Sequence, residues 1–155
     1  MPISAVLDIN VLISGLISTA SPPRQLVDAW LGERFTLVTS LYMVEELVHV
    51  LSYPRIASRL QLTDAELATL LDGLLGKARV TPGQLRLPGV ARDPKDDPLV
   101  ACALQGQADY IVSGDGDLLD LGQRHGIQIL TPRQFLEILA GSARRSGSAS
   151  SEGEI

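Results

Sequence analysis

Carboxylate, amide and hydroxyl side chains are grouped at three places in this 155-residue sequence, two directly after apolar runs and one, Asp96 with Asp97, at the start of a predicted helix. The groups are Asp8 with Asn10, Asp96 with Asp97, and Ser113 with Asp115 and Asp117. Carboxylates brought close together repel one another and need a counter-charge. The chain has a single cysteine, and neither His49 nor His125 has the spacing of a zinc ligand, so oxygen ligands dominate. These residue types predict a hard divalent cation, Mg²⁺ or Mn²⁺, with Asp8 as its main ligand.

The segments between these groups alternate between strand and helix patterns. Strands are predicted over 3–7, 35–39, 110–112 and 127–130, and helices over 24–31, 41–51, 64–77, 99–107, 118–125 and 132–139. Such alternation predicts an α/β fold with a parallel sheet covered on both faces, and helices 41–51 and 64–77 form a lobe inserted after the second strand. Residues 80–93 are predicted to be a connector or an edge strand. Ligands of open parallel sheets bind beyond the carboxyl ends of the strands, where these acidic groups fall.

Composition limits the classes of protein that the chain can represent. With 45% apolar residues it can bury one substantial core, so we expect one domain over 1–140 and a disordered, Ser/Gly-rich tail over 141–155. The lone Cys102 cannot form an intramolecular disulfide, which favours a reducing cytoplasm, and its apolar neighbours predict a core position. No apolar run reaches the length of a membrane span. The net charge of −5 means that nucleic acid would have to be bound through local basic residues or metal ions.

Two glutamates on the predicted helix 41–51 are further candidates for the acidic edge. Glu45 and Glu46 flank its apolar stripe on opposite sides. Helical periodicity alone does not choose between them.

Four segments together resemble the PIN-domain ribonuclease family. They are "LDINVLIS", "VEELVHVLSYPRI", "DPKDDPLVACAL" and "ADYIVSGDGDLLDL", and their order and spacing agree with the family over about residues 1–140. The last segment is similar to toxin components of bacterial and archaeal toxin–antitoxin modules. Ile9 and Ser113 stand where many members carry threonine, so the first position lacks a hydroxyl and the second keeps one.

This resemblance implies a three-layer α/β/α sandwich that cleaves RNA endonucleolytically with one or two Mg²⁺ or Mn²⁺ ions. It implies a metal-binding acidic quartet made of Asp8, Glu46, Asp97 and Asp115. Asp117 would be a fifth catalytic acid. Asn10 and Ser113 would be polar groups that orient carboxylates or water. Glu46 is preferred over Glu45 because the family's glutamate directly precedes a leucine, here Leu47. A cognate antitoxin protein and a homodimer are also implied, and the apolar middle helices could supply the dimer interface.

Other interpretations compete with the nuclease. In a phosphatase of the haloacid-dehalogenase type Asp8 would be a covalent nucleophile, but that chemistry needs an acid where the chain has Asn10. In a non-catalytic binding module the acidic pocket would receive an arginine from a partner. Taken singly, Asp97-Pro98 is also an ordinary helix start, and Asp115-Gly116-Asp117 an ordinary turn.

Overall fold

A six-stranded sheet forms the centre of the protein. The computed structural model describes residues 2–81, 97–124 and 126–142, and only the backbone of Asp97 and Arg124. The strands are β1 Ser4–Leu7, β2 Thr36–Ser40, β3 Arg79–Thr81, β4 Tyr110–Val112, β5 Gln123–Arg124 and β6 Ile127–Leu130. Their order is β3-β2-β1-β4-β6-β5, and all neighbours are parallel except β5, which is antiparallel to β6. The predicted parallel sheet is confirmed.

Helices cover both faces of this sheet. They are α1 Ile9–Leu16, α2 Pro22–Leu31, α3 Leu41–Leu51, α4 Pro54–Ala57, α5 Asp64–Gly76, α6 Asp97–Gln105, α7 Gly116–Leu121 and α8 over 132–142. Ala5 and Leu7 of β1 pack into a core shared with α1, α2, α5 and α8. Val6, between them, packs into a second core with α6 and α7. Because successive strand residues point to opposite faces, these two cores make a three-layer α/β/α sandwich, as predicted.

The chain reverses its direction of travel across the sheet between β1 and β4. From β1 the sheet is built outward through β2 to β3, and the chain then returns to place β4 on the other side of β1. Leu7 and Val112, the last residues of β1 and β4, are register partners. A reversal of this kind leaves a crevice at the carboxyl ends of the two central strands.

Side-chain caps fix several helix starts that the sequence predicts. The Ser40 hydroxyl accepts a hydrogen bond from the backbone N–H of Met43 at 3.1 Å. Thr63 and Glu66 form the expected capping box of α5, with reciprocal distances of 3.0 and 3.1 Å. Thr131 and Gln134 make the same pair of contacts at the start of α8. These caps satisfy first-turn N–H groups that have no partner within a helix.

The structure differs from the prediction at three places, and one of them is the single-turn helix α4, where no helix is predicted. No helix was predicted between residues 8 and 17, but α1 begins immediately after Asp8, which serves as its N-cap. The helix predicted over 118–125 begins earlier and ends at Leu121, because Gly122 has φ +67°, and Gln123–Arg124 pair with β6 as β5. Glycine adopts that left-handed conformation without the steric cost that other residues meet.

Some predicted segments lie wholly or partly outside the described residues. Arg79–Thr81 form β3, the outer parallel strand, but residues 82–93 of the predicted connector are not described, and neither is Asp96. Helix α8 includes residues 141–142, the first two of the predicted tail, and residues 143–155 are not described. Over the described ranges, no helix has both the length and the apolar character needed to cross a bilayer.

Candidate active site

Asp8 occupies the carboxyl end of the central strand β1. Its backbone N–H donates to the Val112 carbonyl at 2.9 Å, which extends the β1–β4 pairing by one residue. Its Oδ1 accepts the backbone N–H of Asn10 at 3.3 Å. The carboxylate thus caps α1 at the positive end of that helix's dipole, where negative charge is favoured.

Ser113 connects Asp8 to the segment that follows β4. Its hydroxyl donates to Asp8 Oδ2 at 2.9 Å and accepts the backbone N–H of Asp115 at 3.0 Å. The Ser113 side chain is completely buried, and its backbone N–H donates to the Leu130 carbonyl at 2.9 Å. One buried hydroxyl therefore holds the two acidic positions at the ends of β1 and β4 in a fixed relation.

Asp115 and Asp117 lie at the start of α7. Asp115 Oδ1 accepts the backbone N–H of Asp117 at 2.8 Å, so Asp115 is the N-cap of this helix. Asp115 is half-buried and Asp117 is exposed. The predicted turn-and-cap role and the predicted acidic site therefore fall on the same residues.

Asn10 contacts Asp8 through its backbone. The Asn10 N–H donates a hydrogen bond to Asp8 Oδ1, and the Asn10 residue is exposed. Asn10 thus contacts the carboxylate through its main chain and Ser113 through its side chain, and an orienting role of the Asn10 side chain stays a prediction.

The backbone of Asp97 lies at the same edge of the sheet. Helix α6 begins at Asp97 and ends at Gln105. Its far end is at the amino edge, because the Gly106 carbonyl accepts the guanidinium of Arg79, the first residue of β3, at 2.7 Å. A nine-residue helix is about 13 Å long, close to the length of a strand here, so its first residue is at the carboxyl edge.

Glu45 and Glu46 are both exposed, but they differ in their position relative to the buried face of α3. Met43 and Leu47 mark the buried face of α3. Glu45 is two residues from each of them and therefore points away from the core. Glu46 is three residues after Met43 and one before Leu47, on the flank of the buried face. Side chains on a helix lean toward its N-terminus, here the carboxyl end of β2.

The described carboxylates are not assembled into a complete ligand set. Among residues 2–81, 98–123 and 126–142, no three His, Cys, Asp or Glu side chains come close enough together to hold a metal ion. Glu46 is thus not gathered with Asp8 and Asp115, and the Asp97 side chain lies outside the described part of the chain.

The donor chemistry at the edge nevertheless fits a hard cation. In the described part of the chain, no lysine, arginine or histidine forms an ion pair with Asp8 or Asp115; the ion pairs are Arg24 with Asp28 and Glu66, and Lys77 with Glu33. Two carboxylates joined through Ser113 therefore have no protein counter-charge among these residues. Oxygen donors of this kind suit Mg²⁺ or Mn²⁺ better than Zn²⁺.

Comparison with protein families decides the assignment. Residues 4–117 match the PIN domain, which is more than half of the chain and includes Asp8, Glu46, Asp97, Asp115 and Asp117. The chain belongs to the PIN domain family. PIN domains are generally nucleases, and they generally use divalent metal ions. No curated protein matches the sequence significantly. Family membership favours a nuclease over the phosphatase that the aspartate after β1 also allowed.

Cys102 has no part in this site. It is buried on α6, and burial raises the pKa of its thiol to about 11. The Thr81 hydroxyl lies 3.9 Å from its sulfur. Its place among the buried residues of the second core confirms the predicted core role, and a buried thiol that stays protonated at neutral pH is a poor nucleophile.

Proposed function

We propose that this PIN domain is a divalent-metal-dependent endoribonuclease. The observation that carries the proposal is the Asp8–Ser113–Asp115 connection at the crevice between β1 and β4, in a chain that matches the PIN domain. Asp8 and Asp115 would hold the cation, with Asp97 and Glu46 completing the quartet and Asp117 beside them. This assignment of roles rests on the order of the acidic residues and on the edge of the sheet that they share.

A bound Mg²⁺ or Mn²⁺ ion would stabilise the negative charge that builds on the phosphate and would lower the pKa of water beside it. The protein's own residues keep the acceptors in place. Ser113 fixes Asp8 Oδ2, and the Asn10 N–H fixes Oδ1, so the Asp8 carboxylate cannot rotate freely. Asp115 is held in turn through its own N–H and through Asp117. Such hydrogen bonds pre-organise a site before the substrate arrives.

The dependence on metal is tested with the wild-type protein. A mixed panel of single-stranded and structured RNAs is incubated with Mn²⁺, with Mg²⁺ or with EDTA, and products are separated on a sequencing gel. We expect internal cleavage with Mn²⁺ or Mg²⁺ and none with EDTA. Equal cleavage in EDTA would overturn the metal-dependent mechanism, and no cleavage of any RNA would overturn the proposed activity.

We also propose that the nuclease is the toxin of a toxin–antitoxin module and acts in the cytoplasm. Support comes from the sequence motif "SGDGDL" at residues 113–118, which resembles the corresponding motif of toxin members of the family. Asp8 and Asp115, which form no ion pair with the described lysines and arginines, are also suitable receptors for an arginine from an antitoxin. Induced expression should arrest growth, and co-expression of the neighbouring gene should restore it. Unimpaired growth on strong expression of active nuclease would contradict a toxin role.

The outward face of α3 supports a homodimer. Leu41, Tyr42 and Val48 of this helix and the neighbouring Tyr53 are each about half exposed. Large apolar side chains grouped on one helix face are typical of a contact surface. We propose that a second copy of the chain covers them, and we call them the α3 face.

A further inference from the structure

A cavity of about 460 Å³ lies between α2 and α8, and we call it the α2–α8 groove. Pro22 and Gln25 of α2 line one side, and Leu136 and Ala140 of α8 line the other. Two arginines, Arg34 and Arg133, also contribute to its walls. The groove therefore combines a partly apolar floor with two cationic groups.

The two arginines have their charges available. Both are exposed, and neither forms an ion pair with a carboxylate of the described residues. Glu137 lines the same groove and reduces its net charge to one positive unit. In a chain with a net charge of −5, this is a local reversal of sign. An anionic ligand is the chemistry that such a reversal favours.

One end of the groove lies at the carboxyl edge of the sheet, the same edge as the candidate active site. Arg133 is in the first turn of α8, three residues after Leu130, whose carbonyl accepts the Ser113 N–H at 2.9 Å. Arg34 precedes β2 by two residues and so lies near the opposite edge of the sheet. Strands of four or five residues are roughly 13–17 Å long, so the groove suits an extended polyanion better than a single phosphate.

We propose that the α2–α8 groove binds the phosphate backbone of the single-stranded RNA beside the bond that is cleaved, with Arg34 and Arg133 each contacting a phosphate. The inference rests on the proposed ribonuclease function. An endonuclease substrate extends beyond the scissile bond, and the groove leads away from the acidic edge. The position of one end of the groove at the edge of the candidate site favours substrate RNA over an acidic peptide as the occupant.

Binding of RNA in EDTA tests the groove separately from cleavage. Fluorescence anisotropy measures the affinity of a labelled single-stranded 12-nucleotide RNA for Arg34→Gln, Arg133→Gln, their combination and Glu137→Gln. Arg55→Gln is the matched control, since it removes one exposed positive charge outside the groove. Circular dichroism checks that each variant is folded.

We expect each groove arginine variant to weaken binding severalfold more than Arg55→Gln, and Glu137→Gln to tighten it. The slope of log affinity against log salt should fall by about 0.7 for each lost phosphate contact. If the groove variants lost no more RNA affinity than Arg55→Gln, or if the wild type did not bind the RNA, the proposed role of the groove would be overturned. The same variants are also tested for binding of a labelled polyglutamate peptide. If the groove variants weaken binding of this peptide and leave RNA binding unchanged, the occupant is an acidic partner and the RNA proposal is overturned.

The two proposals fail in different ways. If the wild type binds RNA through the groove but cleaves none with Mn²⁺ or Mg²⁺, the nuclease function fails and the groove stands. If the wild type cleaves RNA and the groove variants bind it as the control does, the groove fails and the nuclease stands.

Discussion

At the scale of single residues, the hydroxyl of Ser113 is the group that ties the candidate site together. It is fully buried and contacts both Asp8 Oδ2 and the Asp115 N–H. Ser113→Ala should lower the cleavage rate about 10- to 100-fold, as for other groups that orient metal ligands. It should also raise the Mn²⁺ concentration that gives half-maximal activity.

Ser113→Thr is the control for this prediction because it keeps the hydroxyl. It should restore the metal dependence of the wild type, which a purely structural role for Ser113 does not require. Wild-type metal dependence in Ser113→Ala would show that Ser113 does not position the carboxylate.

The adjacent glutamates of α3 provide a matched pair. Glu46 flanks the buried face defined by Met43 and Leu47, and Glu45 points away from it. Glu46→Gln should reduce RNA cleavage by at least tenfold, and Glu45→Gln should leave it within about twofold, because only the first removes a proposed site carboxylate. Both are measured as kcat/KM on the same RNA. If Glu45→Gln lowered kcat/KM more than Glu46→Gln, Glu45 and not Glu46 would be the glutamate of the quartet.

At the scale of elements, the close packing of α1 against α2 depends on Gly15. A Cβ at that position would lie 2.8 Å from the Pro23 carbonyl oxygen and 2.8 Å from Val27. Gly15→Ala should therefore destabilise the fold by about 1–3 kcal/mol, although alanine is the better helix former. Urea denaturation measures the change in the free energy of unfolding.

Gly76→Ala is the control for this packing argument. Gly76 is the last residue of α5, and a Cβ there would have no neighbour within 4 Å. The substitution should be neutral or stabilising by up to about 1 kcal/mol. Equal effects of the two substitutions would mean that helix propensity, and not the α1–α2 contact, decides the result.

The sequence predicts those elements whose signals are local. Buried apolar runs identify β1 and β4, and the Thr63–Glu66 pair identifies the start of α5. Helix α1 is not predicted because its apolar residues follow those of β1 almost directly and look like one apolar run. Asp8 is interpreted as a metal ligand, and its second role as the N-cap of α1 is missed. The two-residue β5 has no periodicity to detect and exists through its pairing with β6.

The candidate site could be predicted in part for the same reason. The alternation of strands and helices predicts that Asp8 and Asp115 lie at the carboxyl edge of one sheet, whereas the neighbouring positions of β1 and β4, which form the crevice between them, are seen only in the structure. The link through Ser113 depends on side-chain geometry that no sequence pattern contains. Helical periodicity does not separate Glu46 from Glu45; the resemblance favours Glu46, and only the structure shows that Glu45 points away from the buried face of α3. The groove arginines lie far apart in the sequence, at 34 and 133, and are joined by the packing of α2 and α8.

At the scale of the whole molecule, the α3 face predicts self-association. The wild type should elute at twice its monomer mass of 16.6 kDa in size exclusion with light scattering. Val48→Glu should shift it to the monomer mass, because a charge would be buried in an apolar contact. Leu75→Glu is the control, since Leu75 is exposed on α5 outside the α3 face. A wild type that is monomeric at all concentrations would contradict the homodimer.

The central claim is that Asp8 supports cleavage and not merely folding. Asp8→Asn keeps an N-cap residue of nearly equal quality, so thermal stability should change little, while Mn²⁺-dependent cleavage of RNA should be lost. Asp72→Asn, at an exposed position of α5, removes the same charge and should cleave like the wild type. The decisive measurement is the Mn²⁺-dependent cleavage rate of the two variants, each shown to be folded. Loss in Asp8→Asn alone is the predicted result, and full activity in Asp8→Asn would contradict the account.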